Sequence, residues 1–338
     1  MESGSLHLAL DAHGGDHGPL VTVAAACDAL THDPGLSITL TGLPEQIEPV
    51  LERHACERLR FEPCETVLDG DARPVAIIRQ GVRSSLGKAM DMVASGNAQA
   101  CVSAGSTVAL MTLGVKLIGM LNGIRRPALM SRIPARHGFT NVLDLGANLN
   151  VDATQLVQFA IMGAVVCARE GLDDPRIGLL NVGHEETKGH AVVREAHDML
   201  GRLPLDYHGF IEGDDIFAGR VDVAVCDGFS GNLLLKSAEG LARMLFSELG
   251  DALKSGWRAR LGSWMARRSL EDLLARFDPA EHNGAPLLGL RGVVVKSHGG
   301  ADREAMLKAI LEAGQEAGKH VPERIEELIH NYKAEAES

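Results

Sequence analysis

Six glycine-bearing loops carry the side chains of this chain that could do chemistry. Each loop follows an apolar run of strand length and precedes a helical pattern. The candidates for binding or catalysis that lie in these loops or just after them are Gly14, Gly15, Asp16, His17, Ser103, Ser106, Thr107, Asn148, Glu185, Lys188, Ser230, Asn232, Lys236 and His298. Glycine amides beside hydroxyl, amide and ammonium groups are typical of a phosphate site. The sequence therefore predicts an anion pocket that suits inorganic phosphate or a phosphoryl ester.

The sequence lacks the motifs of a nucleotide site, a metal site or a serine nucleophile. Residues 14–18, Gly-Gly-Asp-His-Gly, do not match the dinucleotide fingerprint, and no Walker lysine pattern occurs. The stretch 228–231, Gly-Phe-Ser-Gly, lacks the spacing of a nucleophile elbow. The acidic and histidine residues of 11–17 crowd one turn without a second ligand cluster at matching spacing. We therefore expect neither a metal ion nor a cofactor.

An α/β fold must position these loops, because strand and helix patterns alternate along the chain. Apolar runs predict strands at 6–11, 37–42, 100–103, 128–133, 141–145, 176–182, 221–226 and 292–296. The alternation predicts three layers, with a mostly parallel sheet covered by helices on both faces. Strands of a parallel sheet share one carboxyl edge, where ligands bind, so we expect all six loops to meet there.

Length and composition fit one large domain of this class. The 338 residues, residues 1–338, are predicted to form a single α/β domain, because 45% are hydrophobic and 38 are glycine. The net charge of −12 argues against a nucleic-acid partner. The six cysteines form no C-x-x-C pair, which favours free thiols in a reducing cytoplasm. No run of about 18 apolar residues predicts a membrane span.

Six stretches of the chain are long enough to compare with known families. They read LALDAHGGD, SAGST, LDLGAN, LNVGHEETKG, CDGFSGNL and GAPLLG, in order from residue 8 to residue 289. Together they resemble the bacterial acyl-ACP:phosphate acyltransferase family, the PlsX family, where ACP is the acyl carrier protein. The resemblance implies a three-layer fold like that of isocitrate and isopropylmalate dehydrogenases, related to the phosphotransacetylases. It also implies a homodimer without a cofactor.

The same resemblance implies the reaction. A long-chain acyl group would pass from the acyl carrier protein to inorganic phosphate, giving acyl phosphate and free acyl carrier protein for phosphatidic acid and phospholipid biosynthesis. An acyl-phosphate glycerol-3-phosphate acyltransferase would then use the product. We therefore expect a cytoplasmic enzyme that is peripherally associated with the inner face of the cell membrane.

Within the predicted pocket, Lys188 and Asn232 are our candidates for binding phosphate and stabilising charge. Asn148, Asn232 or His298 could donate a hydrogen bond to the oxyanion that develops on a thioester carbonyl. Two alternatives stay open. One is a phosphotransacetylase that uses acyl-CoA, and the other is a phosphate-sensing adaptor at a lipid surface that cleaves no thioester.

The composition changes between residues 241 and 277. Both tryptophans of the chain lie here among seven lysine and arginine residues, although the protein is acidic. Apolar side chains recur at four-residue steps, at Leu249, Leu253, Trp257, Leu261 and Met265. We expect an amphipathic helical insertion that protrudes from the sheet and bends near Gly256 and Gly262. Its flanks would form a dimer contact. Its tip would bind anionic lipid or the acyl carrier protein through Trp257, Arg258, Arg260, Leu261 and Trp264.

Overall fold

In the computed structural model, which describes residues 6–54, 56–277 and 283–336, the strands form one continuous sheet. The strands are β1 (Leu6–Asp11), β2 (Leu36–Gly42), β3 (Leu59–Pro63), β4 (Ala100–Ser103), β5 (Ala128–Pro134), β6 (Phe139–Leu143), β7 (Ile177–Leu180), β8 (Tyr207–Ile211), β9 (Val223–Val225), β10 (Ala285–Leu288) and β11 (Val293–Lys296). Their order across the sheet is β3-β2-β1-β4-β11-β10-β5-β6-β9-β7-β8.

Helices cover both faces of this sheet. They are α1 (Gly18–His32), α2 (Pro44–Leu51), α3 (Pro74–Gln80), α4 (Ser85–Ala94), α5 (Thr107–Leu113), α6 (Ala153–Arg169), α7 (Ala191–Leu200), α8 (Gly213–Ala218), α9 (Gly228–Lys254), α10 (Trp257–Met265), α11 (Arg267–Phe277), α12 (Arg303–Gly318) and α13 (Val321–Ala336). The predicted three-layer α/β fold is confirmed.

The sequence did not predict three of the strands, β3, β8 and β10, and each omission has a physical reason. β3 and β8 are the two edge strands, and they are only partly buried, so neither reads as an apolar run. β10 is short and contains Pro286, which cannot donate a ladder hydrogen bond and therefore argues against a strand in a sequence.

The directions of the strands correct the expectation that all six loops leave one edge. β11 pairs antiparallel with β10, β10 with β5, and β5 with β6, whereas the strand pairs on either side of this region are parallel. These successive reversals turn β6, β9 and β7 against the direction of β1, β4 and β11. The loops after β1, β4 and β11 therefore leave one edge, the β1 edge. The loops after β6, β7 and β9 leave the other, the β9 edge.

Alternation along the strands divides the core between the two faces. Leu10, Val102 and Val295 pack with α1 and α12 on one face. Ala9, Cys101 and Val294 pack with α4 and α5 on the other face, where Leu234 and Leu235 of α9 also contact the core. α9 therefore crosses the same face as α5.

The predicted insertion consists of helices that contribute little to the core. α9 ends at Lys254, Gly256 precedes α10, and α10 has no buried residue. A helix break therefore lies at the predicted Gly256, whereas the prediction for Gly262 is wrong, because Gly262 lies inside α10. No helix among the described residues has the length and apolar character needed to cross a membrane.

Candidate active site

Backbones approach one another closely at the β1 edge. The Asp16 amide donates to the Gly299 carbonyl oxygen over 2.8 Å. A Cβ atom at Gly14 would lie 2.7 Å from the Ala104 nitrogen. Gly15 has a φ of +84°, and a Cβ atom there would lie 2.6 Å from the Gly299 oxygen. Packing between loops therefore explains both glycines, and their part in phosphate binding stays a prediction.

Asp11, Ser103 and Lys296 form a row across the ends of three neighbouring strands. The Ser103 hydroxyl donates to Asp11 Oδ2 over 2.6 Å, and both residues are buried. Lys296 is the register partner of Ser103 on the other side. All three side chains lie on the face of α5 and α9, because the residue before each of them belongs to the core of the opposite face.

The remaining candidates of the first two loops lie at helix starts. The Ser106 hydroxyl caps α5 by accepting a hydrogen bond from the Ala109 amide over 3.2 Å, and Thr107 is the first residue of that helix. His17 precedes α1 without a capping hydrogen bond from its side chain. His17 and Asp16 are both exposed, so each is open to a ligand.

His298 is held in one orientation and one tautomer. Its amide donates to Asn283 Oδ1 over 2.9 Å, and its Nδ1 accepts from the Gly300 amide over 3.1 Å. The imidazole proton therefore resides on Nε2. Partial burial and the Lys236 ammonium lower the pKa of His298 from its ordinary value. The ring is thus a neutral N–H donor at neutral pH.

Asp144 organises the β9 edge. It is fully buried, and its carboxylate accepts hydrogen bonds from the amides of Leu129, Ala147 and Asn148 and from the Asn148 side chain. The Asn148 Nδ2 also donates to the Pro127 carbonyl oxygen over 2.7 Å. Burial raises the pKa of Asp144, although these hydrogen bonds oppose the shift. Both amide hydrogens of Asn148 are occupied by protein acceptors.

The start of α9 rests directly on this loop. A Cβ atom at Gly231 would lie 2.0 Å from the Asp144 carbonyl oxygen, so only glycine allows the contact. Asp227 caps α9 by accepting from the amide and the hydroxyl of Ser230, over 2.9 and 2.8 Å. Asn232 lies against Gly146, and its side chain is exposed to solvent. Ser230 therefore acts as a cap residue, whereas Asn232 is open to a ligand.

Glu185 and Lys188 lie in the exposed loop after β7. The Lys188 amide donates to the Glu185 carbonyl oxygen over 2.9 Å, which closes a turn. His184 anchors this turn through a 2.8 Å contact between its Nε2 and Oδ2 of the buried Asp215. The structure therefore positions both residues on an anchored loop at the β9 edge.

Helix α9 connects the two groups of loops. It starts at the β9 edge, and Lys236 in its third turn is about 12 Å further along the axis. The Lys236 ammonium is close enough to the β1 edge to lower the pKa of Lys296 and of His298. Each strand of a sheet is also rotated by about 20–25° relative to its neighbour, so that β6, β9 and β7 are rotated relative to β1, β4 and β11. The candidate site therefore extends along α9 from Asn232 to Lys236.

Sequence reasoning missed three residues of this site. Asp144 is the acceptor for the β9-edge loop, Asn283 holds His298, and Lys296 ends β11 on the α9 face. Lys296 and Asp144 each left a signal in the sequence, as a charged residue near the end of an apolar run. Asn283 acts through a contact with His298, fifteen residues further along the chain. Three of the four hydrogen bonds that Asp144 accepts come from Ala147 and Asn148, which lie close to it in the sequence.

The predicted tip residues all lie on α10. The side chains of Trp257 and Trp264 are 71% and 72% exposed, and Leu261 is exposed as well. The Arg258 guanidinium lies 5.3 Å from the Trp257 ring centroid. An exposed aromatic and basic surface is therefore present at the predicted place.

Comparisons with known proteins identify relatives along the whole chain. The family described as "Fatty acid synthesis protein" matches residues 6–324. A phosphate acyltransferase from Alkalilimnicola ehrlichii is 44% identical over 339 residues, which is 99% of each chain.

Two solved structures share the fold. A phosphotransacetylase from Streptococcus pyogenes matches 93% of this chain and 94% of its own, with a TM-score of 0.64 at 19% identity. A protein assigned as a 4-hydroxythreonine-4-phosphate dehydrogenase from Salmonella typhimurium matches 93% and 99%, with a TM-score of 0.55 at 14% identity. The predicted relation of the fold to phosphotransacetylases is confirmed.

Proposed function

The chain belongs to the fatty acid synthesis protein family, and from this premise we propose the substrates and partners with which it works. It is an acyltransferase that forms acyl phosphate for lipid synthesis. We propose that a long-chain acyl thioester of the acyl carrier protein is its donor and inorganic phosphate its acceptor. The match with a phosphate acyltransferase over nearly the whole chain is the observation that carries this function.

The proposed chemistry needs positioning more than acid catalysis. A phosphate oxygen attacks the thioester carbonyl carbon, a C–O bond forms, and the tetrahedral oxyanion collapses as the C–S bond breaks. The proton of hydrogen phosphate passes to the sulfur, so that the products are acyl phosphate and the free carrier thiol. A thiolate leaves readily because the pKa of its thiol is about 8.5. The protein must therefore hold both reactants and stabilise the oxyanion.

The geometry supports distinct roles for the candidates in this reaction. Lys188 and Asn232 are exposed, and we assign them to phosphate binding and charge stabilisation. The neutral His298 presents Nε2–H as a donor for the oxyanion. We assign Asn148 to positioning, because both of its amide hydrogens already bind protein oxygens.

A homodimer would cover the apolar surface of α9. Leu241, Met244, Leu245 and Leu249 follow helical spacing, and all four are exposed in the single chain. A second copy of the chain supplies a matching apolar helix. We therefore propose that α9 pairs with α9 of a second copy of the chain. α10 would then lie at the end of the paired helices that is farthest from the sheet.

The exposed tryptophans and arginines of α10 support binding to anionic lipid at the inner face of the cell membrane. Wild-type protein is expected to float with liposomes that contain anionic lipid, and the Trp257→Glu/Leu261→Glu variant is expected to remain at the bottom of the gradient. Leu172→Glu/Val75→Glu, which charges two exposed apolar positions elsewhere, is the control and should still float. Equal flotation of a dimeric Trp257→Glu/Leu261→Glu variant would refute a membrane role for α10.

Binding to the membrane surface would release the acyl phosphate product where the next enzyme uses it. Acyl phosphate carries a long apolar tail, so release at a lipid surface avoids exposing that tail to water. A downstream acyl-phosphate glycerol-3-phosphate acyltransferase would receive it there.

The decisive experiment incubates purified protein with palmitoyl acyl carrier protein and labelled phosphate. Acyl phosphate and free carrier thiol should appear in equal amounts, and a chelator should not change the rate. Palmitoyl-CoA in place of the carrier thioester tests the phosphotransacetylase alternative. Phosphate binding without cleavage of either thioester would instead support the adaptor alternative.

A further inference from the structure

Lys296 is half-buried and has no counter-ion among the described residues. Its ammonium donates to the Ser297 carbonyl oxygen over 2.9 Å, and no described carboxylate lies within ion-pair distance. Asp11 lies in the same row across the strand ends, but Ser103 stands between Asp11 and Lys296. The Asp11 carboxylate accepts a hydrogen bond from the Ser103 hydroxyl. An ammonium that is partly removed from water without a partner carboxylate is unfavourable, so this position points to an anionic ligand.

Lys319 is a second half-buried lysine, and its charge is paired. Lys319 donates to Glu170 over 2.8 Å and to the buried Glu316 over 2.6 Å. These carboxylates raise the pKa of Lys319 even though burial opposes the shift. Lys319 therefore forms a structural ion pair, whereas no carboxylate of the described residues pairs with Lys296.

Among the described residues, the charged groups around Lys296 do not compensate its charge. Lys236 of α9 is the nearby cation, and its ammonium is itself paired with Glu239 over 3.0 Å. His298 is neutral, and the carboxylates of Glu239 and Asp16 only oppose the lowering of its pKa. Asn232 precedes Lys236 by four residues on α9, so the two share one face of the helix.

We propose that Lys296, together with Lys236, binds a phosphoryl oxyanion between the end of β11 and the third turn of α9. This proposal rests on the proposed function, because the reaction brings two such groups to the protein: inorganic phosphate and the phosphodiester of the carrier's prosthetic arm. Phosphate bound at Lys296 would lie along the same helix face as Asn232 and beside the Nε2–H of His298.

The ionisation of Lys296 adds a pH signature. Burial and the neighbouring Lys236 ammonium lower the pKa of Lys296 to about 8. The ligand-free enzyme therefore loses this positive charge as the pH rises above about 8, and kcat/KM for phosphate should fall with it. The unfolded chain binds the proton up to about pH 10, so the stability of the ligand-free protein should rise over the same interval.

Lys296→Met tests the proposal in the full-length protein. We expect the KM for phosphate to rise about ten- to a hundredfold, because a charge-assisted contact is lost. Phosphate should no longer raise the melting temperature of the variant, whereas the melting temperature without phosphate should not fall. Lys296→Arg keeps the charge and should retain phosphate-dependent stabilisation and lose the decline of kcat/KM above pH 8.

Lys319→Met is the matched control. Its melting temperature should fall because Glu316 is left buried without a partner, and its response to phosphate should persist. A Lys296→Met protein that is still stabilised by phosphate and keeps its KM for phosphate would overturn the proposal. An increase only in the KM for the carrier thioester would assign the oxyanion to the carrier arm. If no thioester is cleaved by wild-type protein, the proposed function fails, and the phosphate-dependent melting temperature still tests Lys296.

Discussion

Asp144→Ala is expected to lower the free energy of unfolding by about 3–5 kcal/mol and to abolish activity. The buried carboxylate accepts hydrogen bonds from the amides of Leu129, Ala147 and Asn148 over 3.0, 3.1 and 2.5 Å, and from the Asn148 side chain over 2.9 Å. Alanine would leave these donors buried without acceptors. The loop that supports the start of α9 would lose its fixed shape, and Asn232 would lose its position.

Urea denaturation followed by circular dichroism measures the effect on stability. Asp227→Ala is the matched control, because Asp227 is also a carboxylate of the β9 edge but caps only the start of α9. Loss of such a cap costs about 1 kcal/mol. If the two variants lose equal stability, Asp144 does not organise this edge.

Lys188→Ala is expected to reduce the use of phosphate about ten- to a hundredfold, because a charge-assisted contact to the phosphate is lost. The exposed position of Lys188 in an anchored loop makes a large effect on folding unexpected, so the melting temperature should change little. Steady-state kinetics at varied phosphate concentration, with the acyl carrier thioester saturating, separates KM from turnover.

Glu186→Ala is the control for Lys188, since it changes an exposed charge in the same loop. Its kinetics should match those of the wild type. Unchanged KM for phosphate and unchanged turnover in Lys188→Ala would remove Lys188 from the site. Comparison with Lys296→Met then shows whether phosphate contacts one lysine or both.

The sequence predicted those strands and helix starts that depend on residues close together in the chain. β1, β4 and β11 are apolar runs that end in glycine-bearing loops, and helices follow them. Local patterns of this kind carry the information for a strand or a helix start, so the three-layer class followed from them. The break before α10 followed in the same way from Gly256.

The directions of the strands depended on pairing between distant segments. β10 lies between β11 and β5 in the middle of the sheet. It has only four residues, one of them a proline, so its local sequence does not predict a central strand. Its antiparallel contacts, with those of the β5–β6 hairpin, divide the loops between two edges. A forecast made from alternation alone could not contain this reversal.

The sequence by itself determined which loops carry polar chemistry, because glycine, hydroxyl and amide residues mark a strand-to-helix turn through local backbone requirements. Only the tertiary structure decided which side chains are free to bind a ligand. It uses the Asn148 amide for a hydrogen bond to the distant Pro127 carbonyl oxygen, and it leaves Asn232 open. It also leaves Lys296 half-buried near Lys236, with no carboxylate among the described residues within ion-pair distance. Burial and charge pairing are set by residues far apart in the chain, so no local pattern could have decided them.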